Sequence, residues 1–129
     1  MIYRKASKHS TKCWGINMLD GELFELSKIE LKWLDRLFEN YFEYDKQTAS
    51  KSPLSDEFKR TSRLWKSGIE FVMSTLSESS RSLIYQRYWL HNTPISWKDV
   101  AKINGISQSK IEVFRHYVLE LLAMSIGYL

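Results

Sequence analysis

Proline and glycine are scarce in this chain, two and five among 129 residues, so few positions compel a break and helices are free to run. A single cysteine, Cys13, rules out an intramolecular disulfide framework. No apolar run approaches the roughly 20 residues needed to cross a bilayer, and no secretory signal pattern is legible. A soluble, cytoplasmic protein with no membrane contact is the expectation. Also missing are a glycine-rich phosphate loop, a nucleophile elbow and a regularly spaced ligand cluster, so neither an enzyme nor a cofactor is expected. The three histidines, His9, His91 and His116, are scattered. His9 and Cys13 offer at most two zinc ligands, with no second pair to complete a tetrahedral site.

What is present suffices for a core. Hydrophobic residues make up 43% and aromatics 14%, with five tryptophans, which argues against disorder over most of the length. Apolar positions recur at three and four more often than at two, so the fold class is all-α, with long N-terminal helices leading into a C-terminal helical domain. The organisation reads as a basic arm and loop over residues 1–21, a helical segment over 22–75 and a compact unit over 76–129.

Charge is unevenly spread around a net of +4. Residues 1–12 carry Arg4, Lys5, Lys8 and Lys12 without an acid, whereas residues 20–45 carry eight acids against three bases. Lys46, Lys51, Lys59, Arg60, Arg63 and Lys66 restore a basic surplus. Duplex DNA rewards basic faces through counterion release, so the arm and the second half are the expected DNA-facing parts. On charge alone, an ordinary solvated surface is the favoured explanation of the pattern.

From Leu26, apolar residues align as Ile29, Trp33, Leu37 and Tyr41, with Leu34, Phe38 and Phe42 beside them. That face is wide enough for two internal neighbours or for one neighbour and a second subunit; internal packing is favoured, with a homodimer as the alternative. Glu30, Asp35, Glu39 and Glu43 are read as its solvated side. Residues 47–53 form a polar connection. Ser55 then caps a helix whose core stripe is Phe58, Trp65, Ile69, Val72, Met73 and Leu76, leaving Arg60, Arg63 and Lys66 outward. Ser77 opens a further helix, with Leu83, Ile84, Tyr88 and Trp89 inward.

The most informative stretch is Ser96 to Leu122. Ser96 caps a short helix, Asn104 and Gly105 stop it, Ile106 plugs the corner, and Ser107 caps a second helix that buries Ile111, Phe114, Val118 and Leu122. A short helix, a glycine turn and a capped second helix is the helix-turn-helix pattern. In that geometry the second helix enters the major groove by its first turns. Gln108, Ser109 and Lys110 are placed to read bases, Glu112, Val113 and His116 lie just beyond, and Arg115 sits at the flank for a phosphate contact.

The run from Leu76 to Tyr88, with its Arg87-Tyr88 pair, followed by Asp99-Val100-Ala101 and Gly105-Ile106-Ser107, resembles region four of bacterial sigma factors over about 48 residues. Departures are Glu112 and Val113, where that family usually carries basic or amide residues, and Asn104, where an apolar residue usually precedes the glycine. Nothing in residues 1–75 resembles the region that melts the promoter minus-10 element, so a complete sigma factor is not expected. A region-four-like unit behind a helical segment is similar to small phage and prophage late-gene activators, including the ArpU and RinA groups. The resemblance implies a double-stranded DNA-binding transcription regulator acting with host RNA polymerase. The competing expectation is a protein-interaction module that grips RNA polymerase or a sigma or anti-sigma partner without reading DNA.

Overall fold

The computed structural model describes residues 26–49 and 53–129, together with the backbone of residues 3–5 and 22–24. Its body is all-helical. Two short strands, β1 (Tyr3–Lys5) and β2 (Glu22–Phe24), pair antiparallel with Tyr3 opposite Phe24. Residues 3–5 and 22–24 form a ribbon, and the first described helix begins at Lys28.

That start is fixed by a capping box. The Ser27 hydroxyl accepts from the Glu30 amide, and Glu30 Oε1 accepts from the Ser27 amide at 2.8 Å, which satisfies two otherwise orphaned donors. Helix α1 (Lys28–Glu39) stops where Asn40 leaves helical geometry. A 3-10 turn, Tyr41–Glu43, follows, and then the single-turn helix α2 (Tyr44–Thr48). This break corrects the expected continuous stripe. Leu34, Leu37 and Phe38 are buried as anticipated, but Phe42 is exposed because the turn shifts the register, and Tyr44 takes the inward place. Ile29, in the first turn, is 81% exposed.

Helix α3 (Asp56–Thr75) starts at Ser55, whose hydroxyl accepts from the Phe58 amide. Ile69, Val72 and Leu76 are buried, whereas Phe58 is 40% exposed. Helix α4 (Glu78–Tyr88) is capped by Ser77, and Arg81 Nη1 donates to the Leu76 carbonyl at 3.1 Å, closing the end of α3. Helices α5 (Trp97–Asn104) and α6 (Gln108–Ser125) complete the chain.

The core forms around α6. In its second half Val118, Leu119, Leu122 and Ala123 are all buried, a face wide enough to need more than one neighbouring helix. α1, α3 and α5 are those neighbours. The α3 contact is close because Gly68 has no side chain: a Cβ there would stand 2.6 Å from Ile126 Cγ2 and 2.9 Å from Ser125 Oγ. α1 meets α4 through parallel stacking of Phe38 on Tyr88, with ring centres 5.0 Å apart, and Trp89 Nε1 donates to the Phe38 carbonyl at 2.8 Å. The wide face of α1 is thus covered largely from within the molecule.

Candidate nucleic-acid interface

Trp97, Val100 and Ala101 anchor α5 in the core, and the Ser96 hydroxyl accepts from the Asp99 amide. Gly105 ends the helix at φ 65°, ψ 32°, a left-handed conformation that carries no steric penalty only without a Cβ. The chain folds back at once, and the Ile106 amide donates to the Ala101 carbonyl at 2.9 Å. Ile106 packs against the core and holds the corner. Asn104 has its own work. Its side-chain amide donates to Gln86 Oε1 and to the Val100 carbonyl, each at 2.8 Å, and so links α5 to α4.

Beyond the corner, Ser107 Oγ accepts from the Lys110 amide at 3.3 Å and starts α6. Ile111 and Phe114 are fully buried and fix the rotation of the helix. With that rotation set, Gln108, Ser109, Lys110, Glu112 and Val113 all emerge into solvent, and His116 is partly covered. Five of the seven residues expected to face DNA therefore share one exposed end of one helix. No acid lies in the first turn of α6, whereas α1, α2, α3, α4 and α5 carry Glu30, Asp45, Asp56 with Glu57, Glu78 and Asp99 there. The positive end of the α6 macrodipole is left without a compensating carboxylate and stands beside Lys110.

Arg115 departs from expectation. Its guanidinium does not flank the exposed tip but turns inward, donating to Asp35 Oδ2 from Nη2 at 2.7 Å and from Nε at 3.1 Å. Glu112 lies 3.7 Å from its Nη1. Burial alone would lower the Arg115 pKa, but the Asp35 charge reverses this and holds it above the ordinary value. Asp35, contrary to the expectation of a solvated acid on α1, is buried. It also accepts from the Tyr88 hydroxyl and from Trp97 Nε1, the latter at 3.2 Å. One carboxylate thereby ties α1 to α4, α5 and α6, and this satisfied cluster is what makes its burial tolerable. Burial, reinforced by Asp35, pushes the Tyr88 phenol well above its usual pKa. Glu39 is likewise not free in solvent but pairs with Arg87 at 3.4 Å, while the Arg87 guanidinium lies over the Tyr88 ring at 4.7 Å.

Sequence reasoning missed the Asp35 cluster because its partners lie 53, 62 and 80 residues away. The only local hint is an aspartate between Leu34 and Arg36 on a helix whose apolar face is unusually wide. His9, Cys13 and the side chains of the basic arm fall outside the described residues. Among the described residues no group of three or more His, Cys, Asp or Glu could hold a metal ion, and no helix is long and apolar enough to cross a membrane. The chain matches no known protein family, no curated protein and no solved structure.

Proposed function

We propose that this chain is a sequence-specific regulator of transcription that binds duplex DNA, with α5 and α6 as a helix-turn-helix and the first turns of α6 in the major groove. The observation that carries this reading is the solvent-exposed run Gln108, Ser109, Lys110, Glu112 and Val113 at the end of a helix rooted in the core. Gln pairs bidentately with adenine, Lys donates to guanine acceptors, and a Val methyl packs on a thymine methyl. The residue types suit base edges, and the uncompensated helix end suits phosphate. Glu112, an acceptor suited to cytosine N4, gives this face a target unlike that of sigma region four. Action with RNA polymerase, and a phage or prophage setting, rest on the resemblance of residues 76–123 alone.

Arg115 favours a second reading. With that cation engaged by Asp35 and with apolar Ile103 exposed beside the turn, the same end of the molecule also suits a protein surface such as RNA polymerase or a sigma or anti-sigma partner.

Binding to random-sequence duplex measured over a salt series separates the two. Phosphate contacts produce a steep linear fall of log affinity with log salt. Selection of bound sites from random duplex then reports the target. Absence of any salt-dependent duplex binding by the folded protein would defeat the DNA reading and leave the protein-interaction one.

A further inference from the structure

We propose that the outward face of α3 is a self-association surface, on which two copies of this chain pair antiparallel about a two-fold axis at Ser67. Seven residues make up this face, Arg60, Arg63, Leu64, Ser67, Glu70, Phe71 and Ser74, and all are exposed. Leu64 is 45% and Phe71 54% accessible, far from the inward line of Ile69, Val72 and Leu76.

At 3.6 residues per turn the seven fall into three rows. Arg60, Ser67 and Ser74, spaced by seven, run along the centre. Leu64 and Phe71 lie on one flank, and Arg63 and Glu70 on the other. A two-fold axis perpendicular to a side-by-side helix pair reverses chain direction but leaves each flank against its own copy. Leu64 then meets Phe71 of the partner subunit, and Arg63 meets Glu70 of the partner subunit, each pair occurring twice as an isologous contact requires. Ser67 stands at the crossing, where a small side chain lets the backbones approach. Parallel pairing exchanges the flanks instead and sets Leu64 and Phe71 against Arg63 and Glu70, which loses both the apolar and the charged matches.

Glu70 is held at the surface, where its Oε2 accepts from the Tyr41 hydroxyl at 2.8 Å and stands 4.0 Å from Lys66 Nζ. The pattern is therefore self-complementary in polarity and charge, and the fitting occupant is a second copy rather than an unrelated partner. A single helix pair covers less than the roughly 1,200–2,000 Å² of a standard stable interface, so the dimer forms and dissociates with concentration. This surface differs from the α1 face considered from sequence, most of which packs internally.

Sedimentation equilibrium of the whole protein over a concentration series tests the proposal, with helical content checked by circular dichroism. A reversible monomer–dimer equilibrium is expected. Leu64→Ser with Phe71→Ser, both at exposed sites, should abolish it without unfolding. Arg63→Glu alone and Glu70→Arg alone should each weaken dimerisation about tenfold or more by opposing like charges, and the double reversal should restore it. A monomer at every concentration overturns the proposal, as does a dimer indifferent to the serine substitutions. A dimer lost on serine substitution but blind to the charge reversals overturns the antiparallel pairing. No DNA enters the measurement, so its failure and that of the DNA-binding reading are distinct results.

Discussion

Arg115 on α6 is held by Asp35 on α1, with both Nε and Nη2 directed at the same carboxylate oxygen at 3.1 and 2.7 Å. The pair fixes the rotation of the helix that carries the exposed tip. It also turns the N-terminal helix into part of the scaffold of the C-terminal unit.

Asp35→Ala should lower unfolding free energy by about 3–5 kcal/mol, the usual cost of removing one partner from a buried ion pair. Asp35→Asn should cost less, because an amide oxygen still accepts from Tyr88 and Trp97. Urea titration of both variants gives the comparison, and wild-type midpoints for both would contradict the account of the cluster.

Gly105→Val is predicted to destabilise by roughly 1–3 kcal/mol through backbone strain alone, since no atom lies within 4 Å of where its Cβ would stand. Gly105→Asn should be tolerated better, because asparagine enters left-handed geometry more readily. Equal thermal midpoints for the two variants would show that the left-handed turn is not the cause.

At Gly68 the mechanism is the reverse, crowding rather than dihedral strain. Gly68→Ala brings a methyl against Ile126 and Ser125 and should cost about 1–3 kcal/mol in spite of the higher helix propensity of alanine. A stabilised Gly68→Ala protein would mean that α3 and α6 are not in the close contact described.

Lys110→Ala and Gln108→Ala should leave the unfolding midpoint within about 0.5 kcal/mol of wild type, as expected for exposed sites. Each should cost about 1–3 kcal/mol of discrimination on the selected DNA site. Unchanged DNA affinity in the double variant would remove these residues from the groove.

Alkaline pH supplies a further check. Burial, aided by the hydrogen bond to Glu70, pushes Tyr41 up to about 12 from 10.0, and burial raises Tyr44 further still. A folded-state pKa above the unfolded value gives stability that is complete below about pH 10 and is lost as pH climbs toward and past the folded value. Denaturant midpoints should hold steady up to about pH 10 and fall above it. Tyr41→Phe should make that fall shallower; an unchanged slope would exclude Tyr41 as a contributor.

Four helix starts were legible because Ser55, Ser77, Ser96 and Ser107 act through atoms three residues away; the capping box at Ser27 was not read. Gly105 was legible for the same reason, since a backbone requirement needs no distant partner. Ile111, Phe114, Val118 and Leu122 were legible through their spacing. Asp35 and Arg115 were not, because a buried charge on a helix looks like a surface charge until its remote partner is known. Phe42 was misread because one 3-10 turn after Asn40 rotates every later side chain, and Asn40 does not announce the break.

Gly68 lets α3 grip the far end of α6, while Ile111 and Phe114 seat its near end in the core and leave Gln108, Ser109, Lys110, Glu112 and Val113 outside. Supported at both ends, this 18-residue rod, about 27 Å long at 1.5 Å per residue, moves as one rigid piece. A tilt imposed by α3 at one support is therefore carried to the exposed tip rather than absorbed by bending.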